Sequence, residues 1–286
     1  MVNLNTQSDI SGYMQAIYED AMFVARENNF MTALVWVPPD RTTDEAKTRV
    51  SSNYNQGTAQ SVGESDDLTS SAFTPSTDQT LTPAEVGIQF FLTDKRISVD
   101  PMGGRADAAQ ELGMAISDNV ESALLGDFSS LTGGTVGAAG TTITWGYFFA
   151  ALTILKAQKA SPPYMCVLHP YQYHSLGKAA SIAAITQPVP TTTVDDVMRR
   201  WWVSNVVGVD IYVTSNLSVN SSDDAYGAMF SRQAIAYDPR RAPRLEPERD
   251  ASRRGWELNM THVYAHGVWR PTFGVQMLFD ATAPTS

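Results

Sequence analysis

Cysteine is nearly absent: Cys166 is the only one in 286 residues. A single thiol excludes an intramolecular disulfide framework and any Cys-rich zinc or iron–sulfur centre. Charge is also scarce, at 17% of residues against about 25% in ordinary globular proteins. Long apolar runs are missing, since residues 88–92 and 206–213 fall far short of the ~20 residues a membrane helix needs. The opening Met1-Val-Asn-Leu-Asn5 has no cationic region leading into an apolar one, so no signal peptide, and no secretion by one, is expected. Basic charge is in deficit, with 20 Lys+Arg against 30 Asp+Glu for a net charge of −10, which argues against nonspecific DNA binding as the main activity.

What replaces charge is hydroxyl: 25 Ser and 27 Thr make the surface largely neutral and polar. Such a surface suits close contact with other protein, because charged residues are depleted at interface cores. Apolar residues are 43%, enough for a sizeable core, and the length fits two domains or one large one. Residues 1–100 carry 14 acids and 6 bases, whereas residues 239–286 carry 5 and 7, so the acidity is concentrated at the front.

Residues 8–28 read as an amphipathic helix, with Ile10, Met14, Ile17, Ala21 and Val24 in helical spacing and Thr6 and Asp9 as a capping pair. Residues 31–37 read as a short strand ended by Pro38-Pro39. Residues 40–82 then hold nine apolar residues and sixteen Ser or Thr, too few apolar groups to form a core of their own. They are either a disordered linker or a two-stranded arm ordered against neighbouring subunits. The β character near 50–54 and 80–94, around turn-rich 63–67 and 70–76, favours the arm. Residues 85–99 continue as a strand, with Val86, Ile88, Phe90 and Leu92 on one face.

Residues 105–127 form the clearest helix, its stripe running through Ala109, Leu112, Ile116, Val120, either Ala123 or Leu124, and Phe128. Asp107, Glu111, Asp118 and Glu121 fall mostly off that stripe and predict an acidic outer face. A Gly/Thr-rich stretch over 129–144 reads as a flexible loop, followed by a helix over 145–159, a buried strand over 164–168 and a helix begun by Pro170. A helix over 191–203, a strand over 206–214 kinked at Gly208, strand-like runs over 226–237 and long strands over 257–280 complete the chain. Strands and helices mix without βαβ regularity, so the fold class is α+β.

Candidate chemistry is thin. His169 and His174 lack the i, i+4 spacing of a helical metal pair, and His262 and His266 in a strand would lie about 13 Å apart. Structural or surface roles are expected for all four, and neither a metal nor a cofactor. The glycines of 131–140 lack GxxxxGK[ST], no Gly-x-Ser-x-Gly is present, and Cys166 lies in an apolar strand as an inert thiol. No catalytic residue is therefore expected. Arg240, Arg241, Arg244, Arg249, Arg253 and Arg254, interrupted by Glu246, Glu248 and Asp250, contain no aromatic for base stacking. They read as an intersubunit salt-bridge patch in preference to a DNA-facing one, with the acidic arm and acidic helix as partners.

The order of these parts, with the run Tyr164-Met-Cys-Val-Leu-His-Pro170, the strand Val207-Gly-Val-Asp-Ile-Tyr-Val213 and Phe230-Ser-Arg-Gln-Ala-Ile-Ala236, resembles the major capsid proteins of tailed bacteriophages with the Hong Kong 97-type fold. The resemblance covers essentially the whole chain. It implies an N-terminal arm over 1–38, an extended loop over 39–92 and a peripheral domain over 93–144 with its spine helix at 105–127. An axial domain over 145–240 and a return to the peripheral domain over 241–286 follow. It also implies a non-enzymatic subunit that assembles with itself, as hexamers and pentamers, into an icosahedral shell enclosing double-stranded DNA without sequence-specific binding. Scaffolding, portal and cement proteins are the further partners implied, with no membrane, and the virion is the location after assembly in the host cytoplasm. Lys47, Arg49, Glu64, Asp66, Asp67, Asp107, Glu111, Arg240, Arg241, Arg244, Arg253 and Arg254 are the expected intersubunit contacts. Lys47 lies in the loop, but nothing local marks a crosslinking partner. The other readings are the shell protein of a cellular nanocompartment and an α+β enzyme.

Overall fold

The computed structural model describes residues 29–39, 45–54, 57–99, 104–186 and 205–285. The predicted helices over 8–28 and 191–203 lie outside them.

Two sheets and a hairpin organise the described residues. A hairpin pairs β1 (Arg49–Tyr54) with β2 (Pro75–Leu81), and β2 leads into β3 (Ala84–Thr93). The two-stranded arm is thus present, and residues 57–74 between its strands are exposed throughout. The short α2 (Asp94–Val99) ends β3 earlier than the predicted strand to residue 99, since Thr93 Oγ1 accepts the Arg96 N–H and starts a helical turn. The long helix α3 (Gly104–Gly126) follows, about 34 Å at 1.5 Å per residue.

Helix α3 buries Leu112, Ile116, Val120 and Leu124 at four-residue spacing. Leu112 packs with Leu92 of β3 and with Leu258 of β10 (Gly255–Val268). The sheet beneath has the order β3-β10-β9, in which β9 (Ile235–Asp250) is an edge. Pro239, Pro243 and Pro247 are compatible with such an edge, where strand N–H groups face away from the ladder. Those prolines hide a 16-residue strand that sequence patterning did not extend beyond residue 237.

The second sheet is mixed, in the order β4-β11-β8-β5-β7-β6. Its strands are β4 (Thr135–Gly137), β5 (Tyr164–Leu168), β6 (Asn205–Val206), β7 (Val209–Val213), β8 (Asp224–Ser231) and β11 (Gly274–Asp280). Alternation along β5 divides the core. Cys166 and Leu168 join Phe148, Leu152 and Leu155 of α4 (Trp145–Ala157), and Leu176 of α5 (Pro170–Thr186), on one face. Met165 and Val167 join Leu124, Phe128 and Phe230 on the other. The sheet is therefore covered on both faces, and burial pushes the Cys166 thiol well above its ordinary pKa, as fits an inert core residue.

Three further segments differ from expectation. Residues 31–37 begin as one helical turn, α1 (Met31–Leu34), because the buried Glu121 carboxylate accepts the N–H groups of Phe30 and Met31. Glu121 thus leaves the predicted acidic face and caps α1 from α3. The stretch 129–144 is not a loose loop: β4 runs parallel to β11, and Gly133 N–H donates to Gly274 O. Gly137 has φ +86°, and a Cβ there would lie 2.3 Å from Leu278 O. Near Gly208 the chain makes a hairpin, since Val207 and Gly208 both have positive φ (53° and 81°), the signature of a tight two-residue turn.

Candidate assembly interface

The arm is tied to the body at its root. Leu81 packs with Ala236 and Ala265, and Trp36 stacks on Trp269 with centroids 5.0 Å apart. Beside this apolar seam sits the fully buried carboxylate of Asp238. Arg49 Nε of β1 donates to Asp238 Oδ2 at 2.8 Å, and the buried Arg240 Nη2 lies 2.8 Å from the same oxygen, off the line of a hydrogen bond. One carboxylate therefore holds an arm arginine to a sheet arginine.

A second, more exposed node lies next to it. Arg241 pairs with Glu45, ahead of β1, and with Glu85 at the start of β3. His262 reads the same place: its Nδ1 donates to the Arg241 carbonyl at 2.6 Å, which leaves Nε2 to accept the Tyr237 O–H at 2.9 Å. Burial holds the His262 pKa below its ordinary value, consistent with this neutral tautomer.

The far end of the three-stranded sheet has its own charges. Arg249 grips Asp94 with both Nη atoms, at 2.5 and 2.8 Å, and lies over the Trp256 ring. Arg253 pairs with Glu257 and lies over Phe91. Arg244 pairs with Glu246, both largely exposed.

The remaining expected contact residues are spread out. Lys47 is exposed ahead of β1, Asp107 and Glu111 are half-buried on α3, and Arg254 is exposed in the β9–β10 turn. Glu64, Asp66 and Asp67 stand together at the arm's tip, where Asp66 accepts the Gly63 N–H at 3.1 Å. The structure thus gathers Arg49, Arg240 and Arg241 at the root and gives five of the six clustered arginines carboxylates of their own subunit. Sequence reasoning missed the acids that bind them: Glu45, Glu85, Asp94, Asp238 and Glu257. Asp238 and Arg240 share one strand face at i, i+2, a signal legible only once 235–250 is read as a strand.

Two further histidines hold local contacts. His169 Nδ1 accepts the Tyr171 N–H. His266 Nδ1 lies 2.9 Å from Asp127, just past the C-terminus of α3, where a cation offsets the helix dipole. Among the described residues no cluster of three or more His, Cys, Asp or Glu could hold a metal, and no helix is long and apolar enough to cross a membrane.

Comparison with known proteins agrees with this architecture. A chain of Mycobacterium phage Che8 superposes with a TM-score of 0.70 at 18% identity, over 91% of this chain and 95% of that one. The head structure of Helicobacter pylori bacteriophage KHP40 gives 0.72 at 9% identity, over 98% and 100%. The capsid asymmetric unit of cyanophage Pam1 gives 0.70 at 11%, over 92% and 94%. No curated protein matches the chain in sequence. The fold is thus the Hong Kong 97-type expected from the sequence. The family described as phage capsid protein matches residues 76–277, more than half of the chain, and the chain belongs to that family.

Proposed function

We propose that this chain is the major capsid subunit that closes, copy on copy, into the icosahedral head shell of a tailed phage around double-stranded DNA. The observation that carries the reading is the arm: residues 57–74 are exposed throughout, with Leu68 and Phe73 at 74% and 77%, on a hairpin rigidly rooted in the body. Exposed apolar groups on a projecting element mark protein contact surfaces. The role is structural. Each subunit lays its arm on a neighbour, and many weak contacts sum to a stable lattice.

In this reading residues 39–92 are the extended loop and residues 1–38 the N-terminal arm. The three-stranded sheet with α3 is the peripheral domain. The axial domain is the six-stranded sheet, which takes β4 and β11 from outside the expected 145–240. Hexamers and pentamers, scaffolding, portal and cement partners, assembly in the host cytoplasm and residence in the virion belong to the same proposal. The net charge of −10 suits a container that does not grip its DNA.

Expression of the chain alone or with its scaffold, followed by sedimentation, tests this. Shell-sized particles are expected, and a species that stays monomeric at every concentration would overturn the reading.

A further inference from the structure

His262 is almost wholly buried, at 2% exposure, beside the place where the arm joins the sheet. Its neutral ring has every polar atom satisfied, with Nδ1 donating to the Arg241 carbonyl and Nε2 accepting the Tyr237 O–H, and it stacks on Tyr264 with centroids 5.0 Å apart. A proton added at Nε2 turns that acceptor into a donor, so the Tyr237 hydroxyl must turn to accept and a cation stands where water does not reach. Arg241 is the residue that feels it. Nη1 of Arg241 holds Glu45 ahead of β1, and Nη2 holds Glu85 at the start of β3 and Thr261 Oγ1. Arg241 Nε is buried without a hydrogen-bond partner among the described residues, so a second cation beside it is poorly screened. One residue thus touches the buried imidazole through its carbonyl and ties down both ends of the arm through its guanidinium.

The charged and titratable groups around this site are already matched. β9 brings Tyr237, Asp238, Arg240 and Arg241, β3 brings Glu85, and the arm brings Glu45 and Arg49. Asp238 is taken by Arg49 and Arg240, and Glu45 and Glu85 by Arg241, so each of these carboxylates has a cation before His262 acquires a charge. From α3, Asn119 meets Tyr264, Asp118 meets Asn29, and Glu121 holds the N–H groups of Phe30 and Met31. Burial, with a smaller push from the Arg241 charge, holds the His262 pKa below its ordinary value although the Arg241 carbonyl favours the charged ring. Further along β10, His266 is shifted the opposite way by its hydrogen bond to Asp127. Acid therefore tightens the body at His266 and opposes the seated arm at His262.

We propose that His262 is the proton-operated positioning residue of the arm: neutral, it seats Arg241 on Glu45 and Glu85, and protonated, it releases the arm from the sheet. The proposal goes beyond the shell-subunit reading and needs only the arm and its root. When the root opens and the ring reaches water, the pKa returns to its ordinary value. The hold is therefore complete above about pH 6.5 and is lost as pH falls from there toward the lowered value. One such group raises the open population by up to about tenfold between about pH 7.5 and about pH 5.5.

Hydrogen exchange of the full chain at these two pH values tests it, with rates corrected for the intrinsic pH dependence of amide exchange. At the root, residues 45–50 and 81–86 are expected to open about threefold to tenfold more at the lower pH, and residues 164–168 in the body by less than about twofold. His262→Gln, whose amide can donate and accept but does not titrate, is expected to keep wild-type protection at about pH 7.5 and to lose the acid gain. A wild-type root that opens no more in acid, or an equal gain in His262→Gln, overturns the proposal. Where His262→Gln is unprotected at about pH 7.5 already, the pair Glu45→Gln with Glu85→Gln replaces it. With the arm cut from Arg241 and His262 untouched, the acid gain is expected to fall below about twofold, and an undiminished gain overturns the proposal. The exchange is read whether or not the chain forms shells, so failure of this proton-operated hold and failure of the shell-subunit reading are separate results.

Discussion

Replacing Asp238 by alanine is the sharpest perturbation of the arm's anchorage. The Asp238 side chain is fully buried, as is Arg240, while the Arg49 side chain is 18% exposed. The substitution removes the carboxylate that both guanidiniums approach at 2.8 Å. Leaving buried cationic charge without it costs about 3–5 kcal/mol, the usual price of breaking a buried pair from one side. For a chain of this size that is a fall in Tm of roughly 10 °C. Arg49→Ala leaves the Asp238–Arg240 pair intact and removes the charge-assisted hydrogen bond to Asp238, whose loss costs about 1.5 kcal/mol. Melting followed by tryptophan fluorescence includes a signal from the region, because Trp36 stacks on Trp269 at the arm's root. Hydrogen exchange along Arg49–Tyr54 should rise in both variants. Asp238→Ala within about 1 kcal/mol of wild type, or Arg49→Ala as damaging as Asp238→Ala, would refute the reasoning.

Two other expectations follow from the geometry. Gly137→Ala places a methyl 2.3 Å from Leu278 O and 2.4 Å from the Phe279 ring at φ +86°. It should cost about 2–3 kcal/mol in denaturant unfolding, and a neutral result would mean that β4 is not packed on β11 as described. The Asp127 hydrogen bond raises the His266 pKa, so the stabilisation from this pair is fully present below the ordinary value and is lost as pH rises through the raised one. Asp127→Asn should therefore destabilise more at about pH 5.5 than at about pH 8.5, by less than about 1 kcal/mol because the imidazole is a third exposed. Equal effects at the two values would exclude the ion pair.

How much of this was legible in the sequence depended on how local the signal was. Helix α3 was plain because Leu112, Ile116, Val120 and Leu124 repeat at helical spacing and all are buried. β5 and the start of α5 were equally plain, from a continuous apolar run ended by a helix-opening proline. The arm was half legible: composition excluded a core of its own, and pairing of Arg49–Tyr54 with Pro75–Leu81 decided for a hairpin. Strand β9 was hidden because prolines that would stop a central strand are tolerated on an edge. The α1 turn was hidden because its cap, Glu121, comes from a helix some ninety residues away. The assembly residues were legible as charges but not as partners. Arg240 and Arg241 were expected as contacts together with Arg244, Arg253 and Arg254, while Asp238, Glu45 and Glu85 needed the register of β9 against β10 and the return of the arm to meet them.

The central claim is that this chain is a shell subunit whose projecting arm is ordered on its neighbours. Electron cryomicroscopy of the assembled protein tests it most directly. The account predicts a closed icosahedral shell in which residues 57–74 lie in density against an adjacent copy. Particles without icosahedral closure, or closed shells whose arms touch no neighbour, would contradict it.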